Sequence, residues 1–359
     1  MTLNLYEYGL DDYFIKEAVI YTNLFIARVT EQHREHYKVM TEYGELNAVV
    51  SGKLAYRADG KVDFPAVGDW VMIDRVDENS GHAVIHHILN RRSRFIRKSA
   101  GTANEEQIVA ANIDTIFICM SLNADFNLRR LERYLTIAWD SMATPVVVLT
   151  KSDLCEDAKL KLDEVISVVI GVDVVVCSAE NSDGLDRILA YAQPGKTIAL
   201  IGSSGVGKST LINRLMGQDI LATKQIRGDD DKGRHATTHR QLLLLPNGGI
   251  AIDTPGMREL QIFTGKLFKT FEDIDELALG CKYKNCAHNN EPGCAVRQAI
   301  KNGMLSEKRF ESYQKLQREM SYEGLNARQR EDEKINRMFG SKAEMKQAFQ
   351  QIKRNKKQF

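Results

Sequence analysis

The chain has 359 residues, 43% of them hydrophobic, and 49 Lys and Arg against 48 Asp and Glu leave a net charge of +1. That length predicts two or three domains of about 100–200 residues each, with enough apolar content for ordinary cores. The balanced charge excludes a molecule drawn to polyanions by its whole surface, so any nucleic-acid contact must come from local patches.

Met1 to Phe14 is acidic and polar and does not read as a signal peptide. No apolar run reaches the roughly 18 residues that span a bilayer, so no membrane partner is expected. Between 22 and about 90 the pattern is one of short strands, among them Leu24 to Val29, Leu46 to Val50, Asp69 to Ile73 and Ala83 to Ile88. Turn signals at Asp59-Gly60, Gly68 and Asn79-Ser80-Gly81 separate them. This predicts a small β-barrel, with an OB-type barrel as the first reading and an SH3-like barrel as the second. The run Arg91-Arg92-Ser93-Arg94-Phe95-Ile96-Arg97-Lys98 then leaves the barrel with five basic residues and one aromatic, a candidate patch for phosphate contact and base stacking.

From about 110 onward, β-branched runs of strand length alternate with amphipathic stretches of helix length. The strands are Thr115 to Met120, Pro145 to Leu149, Val172 to Val176 and Thr197 to Ile201. The helices are Leu128 to Trp139, Ala158 to Val168, Asp183 to Ala192 and Lys208 to Met216. Such alternation predicts a parallel sheet covered on both faces. His239 to Leu245 and Gly249 to Ile252, joined at Asn247-Gly248, read as a hairpin.

Four motifs sit at the ends of these strands. Thr150-Lys151-Ser152-Asp153 follows one strand, and Ser178-Ala179-Glu180 follows the next. Gly202-Ser203-Ser204-Gly205-Val206-Gly207-Lys208-Ser209 then joins a strand to a helix, the context of a phosphate-binding loop. Its backbone N–H groups and the helix N-terminus suit a phosphate chain, Lys208 the β- and γ-phosphates, and Ser209, with Thr210 beside it, the metal end. Asp253-Thr254-Pro255-Gly256 comes last. Asp253 suits Mg²⁺ through water, and the Gly256 N–H suits the γ-phosphate.

The Asp153 carboxylate can accept from guanine N1–H and the 2-amino group, a donor pair that adenine lacks. A backbone N–H at Ser178 or Ala179 can meet guanine O6. Both elements lie at the carboxyl ends of parallel strands, where ligands bind in such sheets. The usual first residue of the base motif is Asn, and here a hydroxyl at Thr150 takes its place. The base-reading half thus precedes the phosphate-reading half, so the domain reads as a circularly permuted GTPase, with Pro194-Gly195 as the join.

Between the loop and the hairpin, residues 228–238 form a polar, glycine-containing segment that predicts nucleotide-dependent ordering. Thr237 is favoured over Thr238 to complete the Mg²⁺ shell. Met257 cannot orient a water as a Gln would, so slow intrinsic hydrolysis is expected, with His235 as the leading water-positioning candidate.

Beyond 266 the chain is polar and helical. Cys281-x4-Cys286-x-His288-x5-Cys294 offers three thiolates and one imidazole, a closed tetrahedral set expected to hold one structural Zn²⁺. The remaining cysteines, Cys119, Cys155 and Cys177, are scattered, which fits a reducing, cytoplasmic setting better than a secreted disulfide framework. Lys353, Arg354, Lys356 and Lys357 form a second basic patch.

Motif order, metal knot and N-terminal barrel together resemble the RsgA family of circularly permuted, small-ribosomal-subunit-dependent GTPases, over nearly the whole chain. The resemblance implies an α/β fold of three parts: an OB-type barrel (1–103), a permuted GTPase domain (104–265) and a helical zinc-binding domain (266–359). It implies GTP and GDP as ligands, the small ribosomal subunit and its rRNA as partners, and a cytoplasmic monomer active in late subunit maturation. The residues 202–209, Lys151, Asp153, Asp253, Gly256 and the four metal ligands carry over by position. Gly233-Arg234-His235-Ala236-Thr237-Thr238 departs from the family's pattern at Ala236, where Thr is frequent. Two rival readings are a P-loop ATPase or kinase and an RNA-binding adaptor that senses nucleotide without turnover.

Overall fold

The computed structural model describes residues 3–33, 36–77, 81–98, 106–123, 125–221, 240–253, 267–289, 291–321, 344 and 347. Thirteen strands run in chain order through the described residues. They are β1 (Phe25–Gln32), β2 (Tyr37–Thr41), β3 (Gly44–Val50), β4 (Trp70–Ile73), β5 (Ala83–Ile88), β6 (Arg94–Lys98), β7 (Glu106–Ala111), β8 (Thr115–Ser121), β9 (Thr144–Thr150), β10 (Asp173–Val176), β11 (Thr197–Ile201), β12 (Arg240–Leu244) and β13 (Ile250–Asp253).

The first five strands close on themselves in the order β1-β2-β3-β5-β4, with β4 returning to β1. The β3–β5 pair is parallel and the others are antiparallel. This is the five-stranded Greek-key closure of an OB-type barrel. Alternation builds it. Tyr37, Val39, Leu46 and Ala48 turn inward with Ala27, Val29, Val71 and Ile85, while Lys38, Glu45 and Asn47 turn outward. The strand Tyr37–Thr41 is not among those read from sequence. The barrel's start is shifted slightly, to Phe25 instead of Leu24.

The second half is a sheet in the order β10-β9-β8-β11-β13-β12, parallel except for the antiparallel β12 edge. Its strands are buried on both faces, as continuous runs such as Ile116-Phe117-Ile118 and Val146-Val147-Val148 require. One face packs Leu211, Ile212 and Leu215 of the helix Lys208–Met216. The other packs Leu131, Leu135 and Ala138 of the helix Leu128–Asp140, and behind them Ile274, Val296 and Phe310 of the C-terminal helices. Asn127 starts the helix Leu128–Asp140 by accepting the Arg130 N–H at 3.0 Å.

Strand β1 is central to the joining of barrel and sheet. Strand β1 pairs with β12 at Glu31 and Gln32, making one eleven-stranded sheet. In the middle of β1, Arg28 is buried at 1% exposure and donates to Thr197 Oγ1 at 2.9 Å, to the Gly68 carbonyl at 3.3 Å and to the Tyr8 carbonyl. Burial brings its pKa down to about 10, although Asp114 and Asp69 pull the other way.

Strands β6 and β7 form a hairpin that corrects the reading of the basic run as a base-stacking patch. Phe95 is 1% exposed and lies in the main core. Arg91 is held by Asp69 at 2.7 Å and by the Val62 and Phe64 carbonyls. Arg92 pairs with Asp11 at 2.6 Å and lies over the Tyr13 ring. The alternation of β6 turns the aromatic ring inward, where it cannot meet a base. The basic tail at 353–357 lies outside the described residues. No described helix is long and apolar enough to cross a membrane.

Candidate guanine-nucleotide site and metal cluster

The phosphate loop leaves β11 and enters the helix Lys208–Met216, so its turn is imposed from both ends. Gly202 has φ +146°, and a Cβ there would come within 2.3 Å of the Cys119 carbonyl on β8. Gly207 caps the helix at φ +101°. Both positions need glycine, the first for close approach and the second for its left-handed backbone. Val206, fully buried, pins the loop to the core beneath. Lys208 Nζ folds back onto the Gly202 and Ser203 carbonyls at 2.8 and 2.7 Å. Ser209 and Thr210 occupy the first turn of the helix.

The base motif reaches this loop directly. Thr150 ends β9 beside β8, and its hydroxyl donates to the Val206 carbonyl at 2.5 Å. Lys151 Nζ donates to the Gly205 carbonyl at 2.7 Å. Ser152 N–H donates to the Cys177 carbonyl, which draws the loop after β9 against the loop after β10. Ser178 is buried, and its hydroxyl donates to Asp153 Oδ1 at 2.6 Å. Thr150 and Lys151 thus bond the phosphate loop, Ser152 and Asp153 are tied to the segment after β10, and Ala179 is tied to the helix Lys208–Met216. Burial pushes the neighbouring thiols Cys119 and Cys177 to about 12, so they are packing residues.

Asp253 ends β13, the strand next to β11, at the other side of the loop. Gly256, His235 and Thr237 lie outside the described residues. Two supports were missed in the sequence. Arg214, two turns along the helix Lys208–Met216, donates from Nε to the Ala179 carbonyl at 2.8 Å and so braces the second base element. Asp125 and Arg130 bind the Ser203 side chain. An exposed-looking Arg on a helix gives no sequence signal of its target.

In the C-terminal part, the ligand atoms of Cys281, Cys286, His288 and Cys294 all lie within 4.8 Å of one another. Cys281 Sγ and Cys294 Sγ are 3.9 Å apart, and His288 Nδ1 is 3.6 and 3.5 Å from them. Bonds of about 2.3 Å to sulfur and 2.0 Å to nitrogen in a tetrahedron give edges of about 3.5–3.8 Å, so the cluster fits a four-coordinate metal ion. Cys294 also caps the helix Ala295–Lys301, accepting the Arg297 N–H at 3.4 Å. Arg297 Nε donates to the His288 carbonyl at 2.7 Å and fixes the ligand loop.

A sequence profile described as RsgA GTPase matches residues 88–263. The small ribosomal subunit biogenesis GTPase RsgA 2 of Lactiplantibacillus plantarum is 55% identical, over 99% of this chain and all of that relative. The chain belongs to the RsgA GTPase family. The RsgA 1 of Oceanobacillus iheyensis is 45% identical over 83% of this chain and 85% of that one. Among solved structures, YjeQ from Thermotoga maritima aligns with TM-score 0.61 and 26% identity, covering 83% of this chain and 98% of that one. The circularly permuted GTPase YloQ aligns with TM-score 0.58 and 25% identity, covering 84% of this chain and 96% of that one.

Proposed function

We propose that this RsgA-family protein is a GTPase that binds the small ribosomal subunit and couples GTP hydrolysis to late maturation of that particle. The observation that carries the reading is the junction of base motif and phosphate loop: Thr150 and Lys151 bond the loop while Ser178 holds Asp153 beside them. Asp153 reads the guanine edge, Ser178 and Ala179 present backbone toward O6, and residues 202–209 with Thr210 wrap the phosphates. Ser209, Asp253 and Thr237 are the proposed Mg²⁺ ligands. When bound with GTP, Mg²⁺ offsets charge on the phosphate oxygens. Lys208 supplies a second positive charge, and Gly256 and His235 are assigned to the γ-phosphate and to the attacking water.

Zinc is the proposed occupant of the Cys3His cluster, in a structural role, since four protein donors leave no open position. The three-part division at 103 and 265, contact with the subunit's rRNA, a monomeric state and a cytoplasmic location belong to the same proposal. Measuring GTP and ATP hydrolysis with and without purified small subunits tests it. Hydrolysis of GTP alone, raised by the subunit, is the expected result. ATP turnover would favour a P-loop ATPase, and no turnover in any mixture would favour a nucleotide-sensing adaptor.

A further inference from the structure

The helix Leu128–Asp140 takes part in two ionic clusters, one at the phosphate loop and one at the C-terminal helices. At its first turn, Arg130 Nη1 donates to Asp125 Oδ1 at 2.6 Å and to Ser203 Oγ at 2.9 Å. The Ser203 hydroxyl donates in turn to the second carboxylate oxygen of Asp125, closing a ring of three groups. Asp125 is itself placed: the Asn123 side chain accepts its N–H at 3.0 Å and the Ser121 hydroxyl at 2.8 Å, at the end of β8. Burial would raise the Asp125 pKa, but the bonds from Arg130 and Ser203 hold it below its ordinary value. A cavity of about 250 Å³, lined by Arg130, Arg133, Tyr134, Ser203 and Ser204, lies alongside.

The second cluster faces the C-terminal helices. Glu132 is fully buried and accepts from Arg129 at 2.6 Å and from Arg309 at 2.9 Å. Arg309, 3% exposed, also donates twice to Asp273 at 2.8 Å and to the Thr270 carbonyl at 3.0 Å. Arg133 pairs with Glu319, and Thr136 bonds Thr270 at 3.2 Å. A buried carboxylate cannot part from its guanidinium cheaply, so helix and C-terminal module shift together or not at all. The same helix is bonded to the second residue of the phosphate loop.

We propose that Arg130 is a positioning residue of the nucleotide site, holding the loop through Ser203 and Asp125, and that the Glu132–Arg309 pair couples this hold to the seating of the C-terminal module. The proposal rests on residues 202–209 being the GTP phosphate loop. It gives the C-terminal module a route to the phosphates separate from Asp253. Arg130 meets the loop's side chain, so its effect should fall on nucleotide affinity more than on turnover.

The test is GDP affinity and GTP kinetics on the full-length protein carrying R130A, S203A, R130K, E132Q and the R130A/S203A and R130A/E132Q pairs. R130A and S203A should each weaken GDP by about tenfold, as loss of a charge-assisted hydrogen bond implies, and the pair by no more than either alone. KM should rise much more than kcat falls. R130K, which keeps the charge opposite Asp125, should recover part of the loss. E132Q should weaken GDP by about fivefold, in the range of coupling between sites, and add nothing in the R130A background. R309K replaces E132Q if thermal melting shows that variant unfolded.

Additive effects of R130A and S203A, or wild-type GDP affinity in R130A, would overturn the positioning role. An E132Q effect that is absent, or equally large with R130A, would overturn the coupling. A wild-type chain that binds no GDP would instead overturn the nucleotide reading, and this proposal with it.

Discussion

The Thr150 hydroxyl and the Lys151 ammonium tie the proposed base motif to the phosphate loop. Thr150 is 4% exposed and bonds a carbonyl of a fully buried residue, Val206. Thr150→Val should leave that carbonyl unpaired, costing about 1–3 kcal/mol, measurable as lost stability and about tenfold weaker GDP binding. Thr150→Asn should retain most of the affinity. Phe95 makes the opposite point. Its neighbours are basic and its ring is in the core, so Phe95→Ala should cost about 3–5 kcal/mol of stability by denaturant titration. A variant of wild-type stability with weaker RNA binding would restore the surface reading. Charged flanks made this ring look exposed. Only pairing with β7 reveals which way it turns, and pairing is not local information.

At the scale of elements, the parallel strands were legible because burial on both faces leaves unbroken β-branched runs. The phosphate loop was legible because its glycines mark unusual backbone at fixed spacing. Helix ends were less so: Ala158–Ile166 and Leu185–Leu189 stop short of the amphipathic pattern. Strand β2 escaped notice, since five alternating residues give little signal without their partner. The role of the helix Leu128–Asp140 was also hidden, because Glu132 finds Arg309 across 177 positions. Burial pushes the Glu132 carboxyl above its ordinary pKa, against the pull of Arg129 and Arg309. Removing one partner strands the other: Arg309→Met should destabilise the protein by about 3–5 kcal/mol. A melting curve like that of the wild type would show that the pair is dispensable.

For the whole molecule, permutation decides what the site can move. The Asp253 strand comes last in the sheet and leads into the C-terminal module, while β12 beside it joins the barrel through β1. The barrel thus attaches on the Asp253 side of the sheet, whereas the C-terminal helices pack on the helix Leu128–Asp140, which follows β8 beside the base-motif strand β9. The local core of the metal cluster is thin, with Cys281, Cys286 and His288 only partly buried. Chelation should release about one zinc per chain and loosen residues 267–321 in hydrogen exchange, with little change in the barrel. Equal exchange before and after chelation would remove metal from the folding of that module.

In the proposed site, one carboxylate, Asp153, reads the guanine edge of a nucleotide whose phosphates lie over Lys208. Titrating GDP and xanthosine diphosphate into the wild type and Asp153→Asn tests it most directly. The variant should lose GDP and gain the xanthosine nucleotide, because an amide donates where the carboxylate accepted. An Asp153→Asn protein that binds GDP as the wild type does, and ignores the xanthosine nucleotide, would contradict it.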